Sequence, residues 1–127
     1  MHTSLAADGT ESGPAFKITF PYEISTEDDP KGYYRLEANT LSYLKPMKEN
    51  SAFIRLEGYS REVADHQVTV VNQESGAGVT FKVDKPLYDM AFWSCGTTLC
   101  PENSIWLSIS PGQEEEWKAE YTLFINP

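Results

Sequence analysis

At 127 residues the chain has room for one packed domain and not for two ordinary ones. A hydrophobic share of 40%, with 13% aromatic residues, excludes a disordered chain, which lacks the apolar surface to offset its entropy. A net charge of −9 with no run of Lys or Arg works against nucleic acid or an anionic membrane as partner, and leaves neutral ligands such as sugars, or cationic partners, compatible.

Residues 1–14, MHTSLAADGTESGP, lack the basic start and apolar core of a signal peptide and read as a flexible leader, with a single domain over 15–127. From Ala15 to Tyr22 the residues Phe16, Ile18, Phe20 and Tyr22 alternate with Lys17 and Thr19, the period of a half-buried strand, and Pro21 marks an edge strand or a strand end. EISTEDDPKG is a polar loop. Its acids Glu27, Asp28 and Asp29 match no calcium-loop spacing and read as a solvated turn.

Short strands are predicted over Tyr33–Ala38 and Leu41–Leu44, then over Ala52–Tyr59 with Ala52, Ile54 and Leu56 inward. Ser60 to His66 is the only stretch suited to a helical turn. Gln67–Asn72 and Gly78–Asp84 form a hairpin around NQESGAG, whose Gly76 and Gly78 suit positive φ. Strands are also predicted over Leu87–Trp93, Ser104–Ser110 and Glu116–Asn126. The last sets Trp117, Ala119, Tyr121, Leu123 and Ile125 on one face, with Trp117 in the core. Eight or nine short strands with turns between them predict an all-β antiparallel β-sandwich.

The chain has no GxSxG, no phosphate-binding glycine loop, no HExxH and no CxxC pair, and no apolar run approaches the roughly 20 residues of a membrane span. No cofactor is implied. Cys95 and Cys100, in CGTTLC, either close a small disulfide loop or stay reduced; no further Cys or His stands near them for a metal. His66 reads as a satisfied surface histidine.

An indole offers a sugar both an apolar face and a hydrogen-bond donor. Trp93, beside the Cys loop, is placed to reach a ligand, and Trp106, out of phase with Ile105, Leu107 and Ile109, faces the other side of its sheet. Glu102 sits between a proline and a strand, where partial burial would raise its pKa and make it a base.

The segment KPLYDMAFWSCGTTLCPENSIWLSISPGQEEEWKAEYTLFI, with VTVVNQESGAGVTFKVDKPL upstream, resembles the C-terminal part of the galactose mutarotase-like (aldose 1-epimerase-like) family, over roughly Phe53 to Ile125. In that family an aromatic strand end precedes a Cys-Pro-Glu or similar acidic element, a strand, a Pro-Gly turn and a closing W…Y strand. The resemblance implies a carbohydrate-binding β-sandwich with a sugar ring held over one sheet, and gives Glu102 the place of the base that takes the anomeric proton. Family enzymes are considerably longer and draw their acid, a His, from a part missing here; His66 has no motif match to it. The leading expectation is therefore a carbohydrate-binding domain. The alternatives are an isomerase interconverting sugar anomers with Glu102 as general base, and a non-catalytic interaction or structural module.

Overall fold

The computed structural model describes residues 12–126; the predicted leader lies almost wholly outside them. Nine strands are arranged in two sheets whose pairings are all antiparallel. They are β1 (Phe16–Thr19), β2 (Tyr34–Glu37), β3 (Thr40–Tyr43), β4 (Ala52–Arg55), β5 (Gln67–Asn72), β6 (Ala77–Val83), β7 (Asp89–Ser94), β8 (Leu99–Ser104) and β9 (Ala119–Ile125). A six-stranded sheet runs β2-β3-β1-β5-β6-β9, and a three-stranded sheet runs β4-β7-β8. The predicted all-β sandwich is observed.

The period-2 patterns decide which side chains fill the space between the sheets. Phe16 and Ile18 of β1, Val68 and Val70 of β5, and Val79, Phe81 and Val83 of β6 line one side. Ala52 and Ile54 of β4, Met90 and Phe92 of β7, and Leu99 of β8 line the other. Each fully buried aliphatic or aromatic side chain contributes roughly 1.5–3 kcal/mol. Polar ties add direction to this apolar contact. Tyr34 donates its hydroxyl to the Ala52 carbonyl at 2.8 Å, and Tyr34, Tyr43 and Phe92 meet edge to face with ring centres 5.2–6.2 Å apart.

Several boundaries differ from the predicted ones. Of the two readings of Pro21 the strand end holds, since it falls just beyond β1, and β1 is not an edge but a central strand between β3 and β5. The helical propensity of 60–66 is realised as a 3-10 turn over Val63–Asp65. Gly76 takes φ +75°, as its turn requires, whereas Gly78 lies within β6 and serves by lacking a side chain. A Cβ there would come 2.3 Å from the Phe124 ring of β9.

The largest corrections concern the C-terminal third. The strand expected over Ser104–Ser110 is replaced by β8, because the register of β7 on β8 pairs Trp93 with Cys100 and Asp89 with Ser104. Residues 105–118 then run without strand pairing. β9 pairs only with β6, at the rim of the large sheet. Its register sets Tyr121 beside Phe81 and Leu123 beside Val79, so its apolar face points to the core side as expected. Six strands extend past three, however, and Tyr121, Leu123 (75% exposed) and Ile125 (76%) stay uncovered. Trp117 is also exposed, at 48%, and is not a core residue.

Candidate functional site

The hairpin of β7 and β8 forms because the apolar run 90–93 and the buried stretch 99–101 flank a short polar tip, CGTT. Its tip is closed by the Cys95 N–H donating to the Thr98 carbonyl at 2.9 Å. Ser94 donates its hydroxyl to the same carbonyl at 3.0 Å. Cys95 therefore lies opposite Thr98, and Cys100 two residues further along, a diagonal placement of roughly 7–8 Å between Cα atoms that is too wide for an easy disulfide. No disulfide joins them; of the two states the sequence allows, the structure has the reduced one.

The register places Trp93, Cys100 and Glu102 on one face of the three-stranded sheet, together with Phe53 and Arg55 of β4. This face is directed away from Ile54, Met90 and Phe92 and so away from the core. Trp93 is half-buried there and Glu102 is exposed. The burial expected at Glu102 is absent: its carboxylate lies on the edge strand β8 and is exposed, although Cys100 on the same face is buried.

Trp106 belongs to a different place. β8 ends at Ser104, whose carbonyl accepts from the Tyr88 N–H at 2.8 Å, so the chain on either side of that bond leaves the sheet together. Leu87 turns into the core and Tyr88 out of it. The rings of Tyr88 and Trp106 meet 5.1 Å apart at 41°, with Trp106 66% exposed. They wall a cleft of about 470 Å³ lined by Arg61, Lys85, Pro86, Leu87, Tyr88 and Trp106.

Arg61 is fixed by donating Nη1 to the carbonyls of Leu87 and Tyr88. Its guanidinium stands 5.9 Å from the Tyr59 ring centre and 5.7 Å from that of Tyr88. Tyr59 donates its hydroxyl to the Tyr88 carbonyl at 3.3 Å, and burial, with Asp89 and Glu57 next in effect, raises its pKa. At the rim, Lys85 Nζ and Glu115 Oε1 form an ion pair at 2.9 Å. The resulting surface combines flat apolar faces with fixed donors and acceptors.

Sequence reasoning missed Tyr59, Arg61 and Tyr88: the first two share one segment, and they meet Tyr88 only through the fold. The one available signal was Tyr88 itself, an aromatic residue adjoining a strand at a proline-marked corner.

His66 is buried beneath this region, not at the surface. Its Nδ1–H donates to the Lys85 carbonyl at 2.7 Å, which leaves Nε2 to accept from the Asn103 amide at 2.7 Å. Desolvation lowers its pKa, and both ring nitrogens are occupied. Among the described residues no group of three His, Cys, Asp or Glu side chains is arranged to hold a metal, and no helix is long and apolar enough to cross a membrane. Asp28 and Asp29 instead accept the backbone N–H groups of Arg55 and Lys31.

No protein-family model matches the chain, and neither the curated proteins nor the solved structures contain a significant match to it.

Proposed function

We propose that the protein is a carbohydrate-binding β-sandwich domain that holds a neutral sugar against Trp106 and Tyr88. The observation that carries this reading is the exposed Tyr88–Trp106 pair walling a 470 Å³ cleft. Apolar faces suit pyranose C–H groups, and Arg61 and the Lys85–Glu115 pair supply donors and acceptors for hydroxyls. The galactose mutarotase-like resemblance of residues 53–125 points to the same ligand class.

Titration of tryptophan fluorescence with galactose, glucose and their oligosaccharides tests it. A saturable change that disappears in Trp106→Ala is expected; no response to any of these sugars overturns the reading.

A second reading, an aldose 1-epimerase-like isomerase with Glu102 as base, is supported by the shared face of Trp93 and Glu102. Polarimetry on fresh α-glucose checks it. A rate equal to the uncatalysed one, or one unchanged in Glu102→Gln, removes it.

A further inference from the structure

A sheet edge exposes unpaired N–H and C=O groups, and three of the four edges here are guarded. β2 is four residues long and carries the exposed Arg35–Glu37 ion pair at 2.8 Å. The free side of β4 is occupied by the 25–28 loop: Ser25 bridges Glu57, Thr26 donates to the Arg55 carbonyl at 2.6 Å, and the Arg55 N–H donates to Asp28 at 2.7 Å. β8 contains Pro101, which has no N–H to offer.

β9 has none of these devices. It is seven residues long, AEYTLFI, without Pro or Gly, and among the described residues no hydrogen bond reaches its outer side. Its ladder can be phased from two bonds: Asn126 N–H donates to the Gly76 carbonyl at 2.8 Å, and Asp84 N–H donates to the Lys118 carbonyl at 3.1 Å. Even-numbered residues thus point their backbone groups at β6. Ala119, Tyr121, Leu123 and Ile125 point theirs outward.

We infer that β9 is a self-association edge, pairing antiparallel with β9 of a second copy about a two-fold axis at Thr122. In this register Tyr121 faces Leu123 and Ala119 faces Ile125, all four with outward backbone groups, so every available donor meets an acceptor. The uncovered apolar stripes of both copies join on the core side, and Thr122 meets Thr122 on the other.

Charge permits this occupant despite the acidic chain. Glu120, the one charge on the strand, faces Phe124 of the copy and has Lys82 as its neighbour on β6. The two Glu120 side chains are separated by four strand positions, roughly 13 Å at about 3.3 Å per residue, beyond the Debye length of about 8 Å. A two-residue slip that centres the axis on Tyr121 leaves Ile125 without a partner inside the strand. One strand pair is a small interface, so association falls in roughly the micromolar range.

Sedimentation velocity across the micromolar range tests the inference, with a monomer–dimer equilibrium expected. Leu123→Pro removes an outward N–H and no bond to β6, so it returns the protein to monomer while a melting curve verifies that it folds. In a Cys95→Ser, Cys100→Ser background, Thr122→Cys forms an intermolecular disulfide on mild oxidation and Glu120→Cys does not, because only the dyad pair brings Cα atoms to roughly 4.5 Å. A monomer at every concentration, a dimer indifferent to Leu123→Pro, or equal cross-linking at 120 and 122 each overturns it.

Discussion

The Tyr43 hydroxyl donates to Ser94 Oγ at 2.7 Å, joining β3 of the large sheet to β7 of the small one through the core. Ser94 passes its own hydrogen to the Thr98 carbonyl at 3.0 Å, so a single chain of bonds links the two sheets to the tip of the β7–β8 hairpin. The two ends of this chain differ in what their removal leaves behind. Tyr43→Phe deletes a donor and leaves Ser94 bonded to Thr98, for a cost of about 1 kcal/mol. Ser94→Ala takes from the buried Tyr43 hydroxyl its acceptor on β7, leaving Ser12 as its remaining side-chain partner, and also removes the bond to Thr98, for an expected cost of about 2 kcal/mol. Urea unfolding of both single variants and the double variant checks this, the double costing less than the sum.

His66 gives the fold a pH dependence near neutrality. Burial holds its folded pKa below the ordinary value of 6.5, so the unfolded chain takes up the proton first as pH falls. The stability held by neutral His66 is complete above that value and is lost progressively below it, down through the folded pKa. Unfolding midpoints at about pH 7.5 and about pH 5.5 should therefore differ, and His66→Gln should reduce that difference while lowering stability at the higher pH.

Thiol chemistry should separate the two cysteines. The backbone N–H of Thr97 is the leading stabiliser of the Cys95 thiolate and lowers its pKa, whereas burial pushes the Cys100 thiol up. A chromogenic disulfide reagent at neutral pH should show one fast thiol, lost in Cys95→Ser, with Cys100 reacting on unfolding. Protein prepared without reductant that titrates no thiol would restore the disulfide.

Gly58 is expected to tolerate no side chain. Its φ is +117°, and a Cβ would lie 2.0 Å from the Glu23 carbonyl oxygen, a backbone atom held in place by the adjoining Ser25–Glu57 bridge. Gly58→Ala combines left-handed strain with that collision, and a loss above about 2 kcal/mol should appear in the thermal unfolding of the variant.

The sequence patterns were legible where alternation was strict and a turn adjoined it. Gln67–Asn72 and its hairpin partner appear where expected, since Val, Thr and Phe alternate on both sides of an Asn-and-Gly turn. Ser104–Ser110 alternates as well but has no strand beside it, because periodicity records a capacity to pair and not the presence of a partner. β9 shows the same gap in another form: its apolar face is correctly oriented, yet coverage depends on the width of the opposite sheet, which no local pattern encodes. The cleft was partly visible through Trp106, while Arg61 and Tyr88 reach it through tertiary contacts between segments far apart in sequence.

The run from 105 to 118 connects β8 to β9 with little to hold it. Its far end is clasped by Asp84, whose N–H and carboxylate bind the carbonyl and N–H of Lys118, and by the Lys85–Glu115 ion pair; its near end leans on Ile105. Between them stands Trp106. Amide protons there should exchange with solvent long before those of β5 and β6, since so few bonds must open. The indole wall of the cleft thus rides on a stretch held by few bonds, and its position can be retuned by residues that touch neither ligand nor core.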